Sequence, residues 1–149
     1  MSDKTFNEKT NNQLSQEVFM RKNTPRVLLA EDDDDMRTLL AWSLRKYGYE
    51  VTECADGIHL LDHLSYLFSP EETQLFDLVI SDIRMPGVTG LEVLEGMHKN
   101  KAFPPMVLIT AFGDEKTHEQ AHQWGAAAIF DKPFDIDDLL TKVQEIVPP

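Results

Sequence analysis

Apolar residues along this chain fall into two alternating patterns. Short runs such as Val27-Leu28-Leu29-Ala30 are unbroken, the mark of a strand buried on both faces. Between such runs, apolar positions recur every three or four residues, the period of a helix with one buried stripe. The first stripe is Met36, Leu39, Leu40, Leu44 and Tyr47, with Gly48 as its stop. Residues 49–54 alternate and read as a second strand. Asp56-Gly57 opens a helix expected to run to about residue 68, followed by a polar loop at 69–74. Asp77-Leu78-Val79-Ile80-Ser81 is the third strand. Pro86-Gly87 turns the chain, and Leu91, Val93, Leu94 and Met97 predict a third helix. Met106-Val107-Leu108-Ile109-Thr110 is the fourth strand, and Gly113-Asp114 starts a helix that ends at Trp124-Gly125. Residues 127–130 form a short fifth strand, broken by Pro133, and Asp135 caps a last helix through about residue 147.

Five strands alternating with five helices predict an α/β fold, a doubly wound parallel sheet covered on both faces. Right-handed crossovers bring every strand's C-terminal end to one edge. Ligands of such sheets bind at that edge, where the strand order switches. Residues 1–24, rich in Asn, Gln, Lys, Thr and Ser, read as a flexible N-terminal arm. Within it Leu14, Val18 and Arg21 keep helical spacing, which allows a short helix over 14–20. The expected organisation is that arm, one domain over 25–149, and no output domain after the last helix.

Composition narrows the setting. A length of 149 residues suits one core. With 42% hydrophobic and 27% charged residues, the chain is globular and not disordered. Cys54 is the single cysteine, so no internal disulfide is available and a reducing, cytoplasmic setting is expected. No apolar run approaches the roughly 20 residues of a bilayer span, and the N-terminus lacks the apolar core of a signal peptide. Membrane insertion and secretion are not expected. Net charge is −12, divided into +2 over residues 1–26 and −14 over the rest. An acidic body repels nucleic acid phosphate and suits cations or a basic partner surface.

The candidate chemistry collects where strands end. The first strand is followed by Glu31-Asp32-Asp33-Asp34-Asp35, the third ends at Ser81-Asp82, the fourth at Thr110-Ala111, and the fifth leads to Asp131-Lys132-Pro133. With the first and third strands adjacent, Glu31, Asp32 and Asp82 converge, and Thr110 and Lys132 stand beside them. Three carboxylates in one pocket cannot all stay ionised without a cation. Hard oxygen ligands at a partly open site favour Mg2+. Lys132 adds a positive charge that suits a phosphoryl oxygen, and Thr110 adds a hydroxyl. The inventory fits phosphoryl transfer, with one carboxylate as the nucleophile of an acyl phosphate. Asp33, Asp34 and Asp35 read otherwise, as first-turn acids favoured by the helix dipole.

At this point the sequence resembles the receiver domain of bacterial two-component response regulators, over about residues 26 to 147. The resemblance lies in Glu31-Asp32, in Asp77-Leu-Val-Ile-Ser-Asp82-Ile-Arg-Met-Pro-Gly87, in Leu108-Ile-Thr110-Ala-Phe-Gly-Asp114 and in Phe130-Asp-Lys132-Pro-Phe134. It implies a five-stranded (βα)5 flavodoxin-like fold with strand order 2-1-3-4-5. It implies that Asp82 accepts a phosphoryl group from a sensor histidine kinase or a histidine phosphotransfer protein. Asp32, Asp82 and the backbone carbonyl of Arg84 would ligate Mg2+, with Glu31 acting through a metal-bound water. Lys132 would pair with the aspartyl phosphate, Thr110 would swing to bond it, and Ala111 would leave room. Arg84, two residues after the acceptor, reads either as an influence on its hydrolysis or as a solvated arginine packing its stem. Pro86, Gly87 and Pro133 would be structural, the last after a cis peptide bond. A downstream protein would read the change on the face made by the fourth helix, fifth strand and fifth helix, or the group would pass on in a relay.

Two positions depart from the family pattern. The first acid is Glu31 where Asp is frequent. Ile129 occupies the position, three before the lysine, where Tyr or Phe commonly rotates on activation. Phe130 is adjacent, but alternation points it to the opposite face. The expected signal is therefore carried by Thr110 and the loop after it. Two other function classes draw on the same residues: a Mg2+-dependent phosphatase, which would need a substrate pocket of its own, and a phosphorylation-independent scaffold. His118-Glu119-Gln120-Ala121-His122 matches the zinc-protease pattern, but no downstream histidine supplies a third ligand. The acid run lacks the glycine of an EF-hand, and no glycine-rich turn follows the first strand.

Overall fold

Each apolar run folds as a strand, and each periodic segment as a helix. The computed structural model describes residues 24–69, 75–111 and 113–149. The strands are β1 (Arg26–Ala30), β2 (Glu50–Cys54), β3 (Leu78–Asp82), β4 (Met106–Thr110) and β5 (Ala128–Asp131). The helices are α1 (Asp34–Lys46), α2 (Gly57–His63), α3 (Gly90–Met97), α4 (Glu115–Gln123) and α5 (Ile136–Ile146). All pairings are parallel, in the order β2-β1-β3-β4-β5. The expected fold is the observed one. The 14–20 helix and most of the 69–74 loop lie outside the described residues.

The two-residue period of the strands divides the interior. Val27, Leu29, Leu78, Ile80, Val107 and Ile109 face Leu40 and Leu44 of α1 and Leu139 and Val143 of α5. Leu28, Ala30, Val79 and Leu108 face Leu60 and Leu64, Val93 and Leu94 of α3, and Ala121 of α4. β1, β3 and β4 thus carry apolar side chains on both faces, which is why their sequences read as unbroken runs. Cys54 is buried in the second of these cores, and burial pushes its thiol up to about 12, so it is an inert core residue.

Every helix begins with a side-chain cap. Asp33 accepts from Met36 N, Asp56 from His59 N, Asp114 from Thr117 N and Asp135 from Asp137 N, while Thr89 and Glu92 form a reciprocal capping box. Of the run after β1, Asp33 is therefore a cap and Asp34 and Asp35 fill the first turn.

Two details differ from the sequence expectation. The second helix does not continue to residue 68: α2 stops at His63, and Ser65–Phe68 is a 3-10 turn. The Leu64 N–H is shared between Leu60 O and Leu61 O, and Leu67 N reaches only to Leu64 O. An α-helix and a 3-10 continuation share their apolar spacing over a single turn, so periodicity alone does not separate them. Leu39 of α1 and Tyr47, at its C-terminal cap, are exposed, and Ala41 and Ser43 are buried with Leu40 and Leu44. The buried stripe is rotated by about one position from the expected one. Among the described residues no helix is long and apolar enough to cross a membrane.

Candidate functional site

Register alone assembles the site. Ala30 of β1 pairs with Ser81 of β3, so the residues that follow them, Glu31 and Asp82, leave neighbouring strands side by side. Asp82 pairs with Ile109 and Thr110 pairs with Asp131, which sets Thr110 and Lys132 at the same edge. β1 and β3 are the strands between which the chain order reverses, as expected for a ligand edge. The Lys132 N–H donates to Thr110 O at 2.7 Å, fixing the two ends together.

Glu31 is fully buried, and Asp82 and Thr110 are nearly so, while Asp32, Arg84 and Ala111 are exposed. The Lys132 ammonium donates to Glu31 Oε1 at 2.9 Å and to Asp82 Oδ2 at 2.7 Å. The other Asp82 oxygen, Oδ1, accepts from the Arg84 backbone N–H at 3.0 Å. One oxygen from each of Glu31, Asp32 and Asp82 lies within 4.8 Å of the others, the one such acidic group among the described residues. Of the sequence-predicted residues, Glu31, Asp32, Asp82, Lys132 and the strand end at Thr110 come together at this edge. Pro86 and Gly87 flank it: Pro86 O accepts from Gly57 N, and Gly87 adopts φ 83°. The Lys132–Pro133 peptide bond is cis. Ile129 packs in the core of Leu108, and Phe130 lies in the opposite core, its ring 5.9 Å from that of Phe134.

Two contributors were not read from the sequence. Arg37 Nη1 donates to the Glu31 carbonyl at 2.8 Å, and its guanidinium also reaches Asp34 and Glu53. Ser81 Oγ donates to the Asp82 carbonyl at 2.9 Å. Both hold backbone, leaving the carboxylates of Glu31 and Asp82 to the pocket. The His-Glu-x-x-His pair divides: His118 bonds Asp131 at 2.9 Å, and His122 is exposed.

Three acids against one ammonium leave the pocket negative. Burial, first, and the neighbouring Asp82, second, push the Glu31 carboxyl from 4.5 up to about 7, with Lys132 opposing the rise. Burial works against the charged Lys132, but its hydrogen bonds to Asp82 and Glu31 outweigh that and raise its value. Glu31 Oε2 is buried without a hydrogen-bond partner among the described residues, an acceptor that a proton, a water or a cation would satisfy. The donor set, all hard oxygens with one open side, fits Mg2+.

A stability signature follows. Glu31 titrates higher folded than unfolded, so its protonated form contributes stability that is complete below 4.5 and is lost as pH rises through about 7. In chelator, the melting temperature is expected to fall across that window. Glu31→Gln should flatten the fall; an equal slope in the variant would place its origin elsewhere.

The sequence model described as "Response regulator receiver domain" matches residues 27–144. The transcriptional activator protein PfeR of Pseudomonas aeruginosa is 37% identical over 116 residues, 78% of this chain and 35% of PfeR. Sporulation initiation phosphotransferase F of Bacillus subtilis is 30% identical over 83% of this chain and 94% of its own length. The chain thus spans about a third of one relative and nearly all of another. Among solved structures, the response regulator TrrA of Thermotoga maritima in complex with Mg2+-BeF superimposes with TM-score 0.67 and 33% identity, over 82% of this chain and 98% of TrrA. The chemotaxis response regulator CheY4 of Vibrio cholerae gives TM-score 0.69 and 27% identity, over 83% and 98%.

Proposed function

The chain belongs to the response regulator receiver family, whose members are phosphoacceptor signalling domains, and from that premise we propose that Asp82 is its acceptor. The observation that carries this reading is the Lys132 ammonium seated between Asp82 and Glu31 at the inner end of a three-carboxylate pocket. An Asp82 carboxylate oxygen attacks the phosphorus of a phosphohistidine on a sensor histidine kinase or phosphotransfer protein. The P–N bond breaks, its electron pair returns to the imidazole of the donor, and an acyl phosphate forms on Asp82. Lys132 neutralises the phosphoryl oxygens, and the Thr110 hydroxyl, on the adjoining strand end, turns to donate to one of them. Ala111 leaves space for that turn, and Arg84 stands at the exposed rim, where it steers water. Asp32, Asp82 and the Arg84 carbonyl would hold Mg2+, with Glu31 acting through a water, and the ion would supply the charge neutralisation that three acids and one lysine lack.

The change at Thr110 passes through the following loop to the face of α4, β5 and α5, where a downstream protein reads it or from which the group moves on in a relay. Ile129 does not provide an aromatic rotamer for that signal. A cytoplasmic setting is part of the proposal, and the similarity to sporulation initiation phosphotransferase F is in keeping with the relay reading. The test is intact mass after incubation with acetyl phosphate. One phosphoryl adduct is expected with Mg2+ and none in chelator. An adduct of equal yield in chelator would remove the metal from the reading, and no adduct under either condition would remove the acceptor.

A further inference from the structure

Beside the acidic pocket lies a polar joint that the reading above does not use. His118, in α4, donates through Nε2 to Oδ1 of Asp131 at the end of β5, at 2.9 Å. An ionised carboxylate only accepts, so Nε2 carries the hydrogen whatever the charge of the ring. Gly113 is wedged into the same joint. A Cβ there would overlap Asp131 Oδ1, and would lie 2.7 Å from Thr110 Cγ2 and 2.8 Å from His118 Nε2. Gly113 therefore touches Thr110 on one side and the His118–Asp131 bridge on the other. Asp131 directly precedes Lys132, whose N–H holds the Thr110 carbonyl and whose ammonium holds Asp82.

We propose that the His118–Asp131 bridge is a tie that keeps the start of α4 against β5 in the unphosphorylated protein and so restrains Thr110 from moving to a phosphoryl group on Asp82. The proposal rests on the phosphoacceptor reading. His118 and Asp131 are positioning residues, since neither bonds to Asp82. Thr110 packs its methyl against Gly113, and Gly113 has no side chain with which to yield. When Thr110 shifts, the backbone at Gly113 must follow, and the bridge is what closes its path. The bridge is also of a strength that a switch tolerates. Its side chains are 35% and 54% exposed, so it biases an equilibrium by a small factor and does not lock it.

Hydrogen exchange of the peptide over residues 111–121, with and without Mg2+ and the phosphoryl mimic beryllofluoride, tests the tie alongside the rate of adduct formation from acetyl phosphate. In wild type the peptide should exchange faster once the mimic is bound. In untreated His118→Ala and Asp131→Ala it should already exchange about two- to fivefold faster, with adduct formation accelerated by a similar factor. His118→Gln, whose amide nitrogen can reach the position of Nε2, should restore wild-type behaviour in both. Unaltered exchange in β1 and β3 serves as the control for folding. Unchanged exchange at 111–121 in both alanine variants would overturn the tie. Faster exchange with an unchanged adduct rate would overturn its coupling to Thr110. If wild type itself forms no adduct, the acceptor reading fails, and exchange in the untreated proteins still judges the bridge.

Discussion

Replacing Asp82 with asparagine is expected to abolish the phosphoryl adduct while leaving the fold at least as stable. An amide is close in shape to a carboxylate and keeps an oxygen to accept from the Arg84 N–H, the bond now made by Oδ1. It lacks the nucleophilic oxygen and the charge, so transfer should fall by more than about 100-fold, to the limit of detection. Stability moves the other way. Asp82 is one of the causes that raise Glu31, and removing its charge relieves that repulsion. Lys132 retains Glu31 Oε1 as a partner. The checks are intact mass with acetyl phosphate and Mg2+, and a melt in chelator. An adduct of wild-type yield in Asp82→Asn would put the acceptor on another residue. A marked drop in melting temperature would show that the three acids are better balanced than the geometry implies.

Gly57→Ala, at a buried position at the start of α2, should produce a large loss of stability. A Cβ at Gly57 would overlap the Val88 carbonyl oxygen and lie 2.6 Å from its carbon and 2.8 Å from its nitrogen. These are backbone atoms, which cannot swing aside as a side-chain tip can. The Gly57 N–H also donates to Pro86 O, so the start of α2 is tied to the connection between β3 and α3. Relief of the clash must push that connection away, and the connection begins at Asp82. The expected cost is about 3 kcal/mol, a large part of a small domain's stability. Gly96→Ala is the matched control: Gly96 lies in α3 with nothing within 4 Å of its Cβ position. That change should stabilise by about 0.5–1 kcal/mol through helix propensity. Urea melts of the two variants decide the matter, and equal stabilities would show that residues 86 to 88 relax freely.

The parts of the structure legible in the sequence are those in which one residue pattern has one physical outcome. Val27 to Ala30 and Met106 to Ile109 are apolar on both faces, and only a covered strand satisfies that. Acids placed at the ends of neighbouring strands of this kind then meet at one edge, as Glu31, Asp32 and Asp82 do. Long side chains whose partners lie on other elements were not legible. Nothing in the spacing marks Arg37, and its hold on the Glu31 carbonyl depends on a rotamer that spacing does not specify. His118 and His122 share a helix face, but His118 bonds across to Asp131 on β5, a distance set by tertiary packing. The same holds for the rotated stripe of α1, where packing against the sheet selects Ala41 and Ser43 over Leu39.

The sheet also determines which substitutions the protein can tolerate together. Leu108 and Ile109 are joined by a peptide bond, yet they belong to cores that the sheet keeps apart. Leu108 shares its volume with Leu60 and Val93, and Ile109 shares its own with Leu44 and Val143. A cavity opened at one cannot be refilled from the other, so their energetic effects should add more nearly than those of residues in contact within one core. Adjacent positions of β4 are thus free to vary independently, and the constraints on each run to residues tens of positions away. Each half-core is scattered through the chain.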